Sequence, residues 1–160
     1  MLEHRRGSVV RPVFADACDC HVHVFDPTRF PYSANRTYTP GAATAEALAT
    51  FRKYLGTGRS LVVQPSVYGT DNGCLVNALA RLEPDTARGI AVIDPERITD
   101  DELGALHRAG VRGIRVNLES RGEKRASSAA RAITTVAERV ASHQFGIQIF
   151  ADLPLIADMA

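Results

Sequence analysis

The chain has 160 residues, 45% of them hydrophobic and 23% charged, with a formal net charge of +1. That is enough apolar material for one globular domain with a core, and the near-neutral balance supplies neither a basic field for nucleic acid nor an acidic solvating tail. No stretch reaches the length of a membrane span, and three cysteines without a paired frame, Cys18, Cys20 and Cys74, point to reduced thiols and a cytoplasmic protein.

Residues 1–11 read as a flexible tail, and residues 12–160 as one domain. The apolar stretch after His4, Arg5 and Arg6 is short and interrupted by Arg11 and Pro12, so a secretory signal is not expected. The first strand-like segment is ACDCHVHVF. In an extended strand His21 and His23 project to one face and Val22 and Val24 to the other, so two imidazoles converge on one cavity. Neutral imidazole is a good zinc ligand, but a catalytic zinc takes three protein ligands plus water. Cys18 and Cys20 fall on the opposite face of an unbroken strand and do not complete the set. The plainer alternative makes both histidines ordinary strand residues satisfied by backbone carbonyls.

TAEALATFRKYLG has helical period, with Leu48, Phe51 and Leu55 on one face and Gly56 as the C-terminal cap. A second strand, RSLVVQPSV, leads into QPSVYGTDN, where Gln64 and Ser66 share a face and the Ser66 hydroxyl is placed to reach a ligand; Gly69, Asp71 and Asn72 read equally well as turn formers, with Asp71 capping the next helix. That helix, DNGCLVNALARLEP, aligns Leu75, Leu79 and Leu82 and stops at Pro84. ARGIAVID is a third strand, and Asp94 at its end serves either catalysis or a turn. TDDELGALHRAG opens on a capping box from Thr99 to Glu102 and closes on Gly110.

The fourth strand, VRGIRVNL, puts Arg115 and Asn117 on one face near its end, with Arg121 following in the loop. Two guanidinium groups at one rim would bind an anionic, carboxylate-bearing small molecule, whereas a solvated Arg121 paired with Glu119 or Glu123 is the structural alternative. SSAARAITTVAERVASH lines up Ile133, Val136 and Val140 before a fifth strand, FGIQIFADL. His107 and His143 sit on or near helices, where solvated roles are expected.

All five strand segments are short and rich in Val and Ile, as buried parallel strands are. Their alternation with helices implies right-handed βαβ units. The first turn has no glycine-rich phosphate loop, which disfavours a dinucleotide-binding sheet and favours a (β/α)8 barrel with its active site at the C-terminal ends of the strands.

The ordered set DCHVHVFDP, FPY, RTYTP, VVQPSVYGTDN, RGIAVID and AGVRGIRVNL resembles the amidohydrolase superfamily, in its 2-pyrone-4,6-dicarboxylate lactonase-like branch. The resemblance implies a TIM barrel that hydrolyses lactones or related carbonyl compounds. It implies His21 and His23 as catalytic residues at the carbonyl under attack, Ser66 as a substrate contact, and Arg115 and Arg121 as carboxylate clamps; Asn117, on the same strand face as Arg115, is expected at the substrate too. It leaves two options for cofactors: one divalent metal, Zn or Mn, held in part by His21 and His23, or none. Phe150 stands where the lactonase is expected to carry a tyrosine.

A complete barrel takes about 250 residues and eight strands, so an α/β fold of about five parallel strands, an incomplete (β/α)8 TIM barrel, is expected. The resemblance places a further histidine on a later strand and the aspartate that deprotonates water on the eighth. The 160 residues reach neither, so little activity is expected of the chain alone, and its open sheet edges invite self-association. Two other readings are a phosphoesterase of the PHP type, which also starts with HxH but needs a histidine-rich metal cluster, and a non-catalytic half-barrel that binds anions or a partner.

Overall fold

Each apolar segment pairs with the next along the chain. The computed structural model describes residues 17–83 and 85–159, and the tail expected at 1–11 lies outside them. The strands are β1 (Cys18–Val22), β2 (Arg59–Val63), β3 (Ala87–Ala91), β4 (Val111–Asn117) and β5 (Gly146–Phe150), in sheet order β1-β2-β3-β4-β5. Every pairing is parallel. Helices α1 (Ala45–Leu55), α2 (Gly73–Arg81), α3 (Asp100–Arg108) and α4 (Ala126–Val140) each join one strand to the next, and α5 (Leu153–Met159) follows β5. Unbroken sequential order is the barrel pattern; a doubly wound sheet would reverse direction midway. The fold is therefore an incomplete (β/α)8 barrel. No helix among the described residues is long and apolar enough to cross a membrane.

Strand alternation divides the sheet into two faces. Val62, Ala91, Ile114 and Val116 face outward and form one apolar cluster with Leu48, Leu75, Leu103 and Val136 from the helices. The opposite face carries Arg115 beside Gln148 and Asn117 beside Phe150 in the β4–β5 register. Helix ends follow the expected chemistry: Thr44 accepts from the Ala47 amide, Gly56 closes α1 in the left-handed region at φ 72°, and Thr99 and Glu102 form the reciprocal capping box.

Three expectations require correction. Phe51 and Leu55 do not share the core face with Leu48: α1 buries Ala45, Leu48 and Arg52, while Phe51 and Leu55 are exposed. A 3.6-residue period admits two overlapping arcs through Leu48, and the helix turns the arc holding Ala45 toward the sheet. The five strands are not uniformly buried either. β1 and β5 pair on one side only and are largely exposed, at Cys18, Cys20 and His21 and at Gly146, Ile149 and Phe150. Asp71 does not occupy the cap of α2; Asn72 does, and Asp71 accepts from the Gly73 amide at 2.9 Å.

The inner face narrows where β3, β4 and β5 meet. A Cβ on Gly113 would lie 2.6 Å from Ile90 Cδ1 and 3.1 Å from the Gly146 carbonyl oxygen, the latter fixed in the backbone. Gly113→Ala is therefore expected to destabilise the chain by about 1–3 kcal/mol, measured as a lower urea midpoint at unchanged m-value.

Candidate active site

The site is built from strand ends. β1 ends at Val22, and His23 follows directly with its ring centroid 5.0 Å from that of His21, edge to face. The expected convergence of the imidazoles is present. His23 Nδ1 lies 2.8 Å from the Val63 carbonyl of β2. A carbonyl can only accept, so Nδ1 carries the proton and Nε2 keeps its lone pair.

Arg115 projects from β4 toward the same place, its Nη1 3.5 Å from His21 Nε2. This long contact leaves the His21 proton on Nδ1. Arg115 is only 6% exposed, and its Nε has no hydrogen-bond partner among the described residues. No carboxylate pairs with it there. Its guanidinium carbon lies 4.5 Å from the centre of the Phe150 ring, and the Tyr38 phenol, from the loop before α1, is close enough to interact electrostatically.

These neighbours set the protonation states. Partial burial, then the Arg115 charge, holds the His21 pKa below 6.5 against the opposing pull of Asp19. Burial lowers that of His23 as well; the hydrogen bond to Val63 opposes the shift, and His21 and Arg115 add to it. Both imidazoles are therefore neutral at pH 7. Burial also pulls Arg115 down from its usual value, but from so high a start that it stays charged.

Ser66 and Asn117 meet in a cavity of about 150 Å³ with Asn35, Arg36, Val92 and Ser120. Asn117 is buried, and its side-chain oxygen accepts from the Ser120 amide at 3.0 Å, so part of its polarity holds the loop after β4. Ser66 begins a short 3₁₀ turn after β2, Ser66–Tyr68. The side chain of Arg121 lies outside the described residues. Its two suggested partners bond elsewhere: Glu119 to Lys124, and Glu123 to Arg125.

The remaining candidates lie apart from the converging groups. Asp94 accepts from the Glu96 amide in a turn. His107 and His143 pack against Phe145, just before β5 and so at the opposite end of the strands from the imidazole pair. A larger cavity of about 660 Å³ opens between α2 and α3, where Val76, Ile98 and Leu106 line it; it contains none of the converging groups.

Two members of the site escaped sequence reasoning. Tyr38 and Arg36 come from the long loop between β1 and α1, which is fastened down by the Ser33 amide on the Val67 carbonyl and by Tyr32 packed against Tyr68. Loop-to-strand proximity of this kind has no periodic signature.

For a metal, the donor set is thin. His23 Nε2 and a nitrogen of His21 make two donors, and no group of three His, Cys, Asp or Glu side chains converges among the described residues. The guanidinium beside His21 Nε2 also opposes a cation there.

A family model described as amidohydrolase matches residues 18–160. The chain is 43% identical over 108 residues to a 2-pyrone-4,6-dicarboxylate hydrolase of Comamonas testosteroni, a match covering 67% of this chain and 35% of the relative. It is 40% identical over 101 residues to a 4-sulfomuconolactone hydrolase of Rhizobium radiobacter, covering 62% and 33%. A solved structure from Acinetobacter baumannii, described as a probable 2-pyrone-4,6-dicarboxylic acid hydrolase with citric acid bound, superposes with a TM-score of 0.72 at 24% identity, over 90% of this chain and 52% of that one. The chain thus spans about half the length of that solved protein, and its matches take in about a third of each curated relative.

Histidine titration followed by NMR is expected to give pKa values below 6.5 for both His21 and His23. Arg115→Met should raise the first, because a neighbouring cation is removed. With folded-state values depressed, the unfolded chain takes up protons first; the pair's contribution to stability is intact above about pH 6.5 and declines as pH falls below it.

Proposed function

The chain belongs to the amidohydrolase family, and from that premise we propose that it is the N-terminal half of a lactone hydrolase whose substrate carries a carboxylate or sulfonate. The observation that carries this reading is Arg115: a guanidinium 6% exposed, with no counter-charge among the described residues, beside two neutral imidazoles. A buried cation without a partner is costly, and an anionic ligand would relieve that cost with charge-assisted hydrogen bonds. The curated relatives are named for acting on a dicarboxylate and on a sulfonated lactone.

In this reading the anionic arm of the lactone docks at the outer edge of Arg115, and Arg121, Ser66 and Asn117 contact the rest of the molecule. The lactone carbonyl then lies at the imidazole pair. His21 offers its Nδ1 hydrogen to the carbonyl oxygen, where negative charge develops as water adds to the carbon. The ring C–O bond breaks, the ring oxygen leaves with a proton, and the carbonyl carbon ends as a carboxylate. His23, with its pKa depressed, is a weak base for the attacking water. The resemblance assigns that task to an aspartate on an eighth strand, and completing the barrel would also cover the β5 edge, where Ile149 and, just after the strand, Leu153 are exposed. With two nitrogen donors and a guanidinium next to one of them, the arrangement suits hydrolysis without Zn or Mn. The lack of a convergent ligand cluster among the described residues also argues against a PHP-type phosphoesterase.

Calorimetry with citrate and with 2-pyrone-4,6-dicarboxylate is expected to show binding that Arg115→Met weakens at least tenfold, about 1.4 kcal/mol. The 160-residue chain should show no lactone turnover alone. Joined to the C-terminal portion of the Comamonas relative, it should show turnover that EDTA leaves intact. Turnover by the chain alone, or binding indifferent to Arg115→Met, would overturn the reading.

A further inference from the structure

We infer that Phe150 is a positioning residue for Arg115: its ring fixes the plane of the guanidinium so that the charged edge, not the face, meets an anionic ligand. The inference rests on the reading of Arg115 as the anion-binding group. Hydrogen bonds hold the guanidinium only weakly: Nε has no partner among the described residues, and the one contact, from Nη1 to His21 Nε2, is long at 3.5 Å. On β4's inner face its neighbours are Gly113, which has no side chain, and Asn117, whose oxygen is engaged by the Ser120 amide. Across the register stands Gln148, whose Oε1 is itself buried without a partner. The Tyr38 phenol acts on the guanidinium electrostatically, and the Phe150 ring, 4.5 Å from the guanidinium carbon, is the one aromatic face over it among the described residues.

An aromatic face attracts a cation without consuming its N–H groups. A carboxylate in the same place would neutralise the charge and compete with the ligand; an aliphatic side chain would leave the guanidinium free to rotate. Phe150 is 40% exposed, so its free side also gives the mouth an apolar wall next to the cation. A tyrosine at this position keeps the ring face and is expected to keep the function described here.

The test uses the 160-residue chain labelled with ¹⁵N and ¹³C, with the Arg115 side-chain signals assigned by their loss in Arg115→Lys. Without ligand, the Arg115 Hδ and Hε signals should be shifted upfield by the ring; Phe150→Tyr should preserve that shift and Phe150→Leu should abolish it. Citrate affinity by calorimetry should stay within twofold in Phe150→Tyr and fall about tenfold in Phe150→Leu. Wild-type arginine signals without a ring-current shift would overturn the inference even if Phe150→Leu failed to fold, as would undiminished citrate binding by a folded Phe150→Leu. If the wild-type chain shows the shift but binds no citrate, the anion-site reading fails while the positioning of Arg115 stands.

Discussion

His21 on β1 and Arg115 on β4 can touch only if the sheet between them curls. Three strand spacings of about 4.8 Å separate these strands in a flat sheet, some 14 Å, and side chains that stand perpendicular to a flat sheet would not converge across that gap to a 3.5 Å contact. Parallel strands in sequential order, each backed by a helix, twist and close in one direction. The outer cluster of Val62, Ala91, Ile114 and Val116 against the helices sustains that curvature from outside. Gly113 permits it from inside, where a side chain would strike Ile90 and the Gly146 carbonyl. The functional groups are thus assembled by the curvature of the sheet, not by any local loop.

What the curvature assembles is electrostatically unfinished. A guanidinium withdrawn from water beside two imidazoles that are themselves held neutral is a cationic group with no ion-pair partner among the described residues. Such an arrangement lowers stability in the empty protein and is tolerable where a ligand supplies the opposite charge. Burial depresses the pKa of both histidines and the same cation adds to it, so anion binding and imidazole protonation are coupled through Arg115. An anion on Arg115 would weaken that depression.

The architecture was largely legible from the chain. Alternating Val- and Ile-rich segments and helical periods located all five strands and the helices between them, and period-2 alternation put His21 with His23 and Arg115 with Asn117. Period gives faces, though, not curvature or edges. It did not reveal how far the open edges would leave β1 and β5 exposed, that Phe51 and Leu55 would turn away from the core, or that the Tyr38 loop would come within electrostatic reach of Arg115. The Asn117 side chain shows the same limit. Its face was readable, but its hydrogen bond to the Ser120 amide depends on the turn that follows β4. Phe150 was readable as a departure from an expected tyrosine, and its contact with Arg115 emerges only when β5 is registered against β4.

The most direct measurement is the proximity of β1 to β4 through space in solution. Nuclear Overhauser contacts from the His21 ring protons to the Arg115 Hδ protons should be present in the folded 160-residue chain, together with contacts from Arg115 to the Phe150 ring. A folded chain in which the His21 ring shows contacts only to β2, and none to Arg115, would mean that the two groups open onto separate surfaces and that no common site exists.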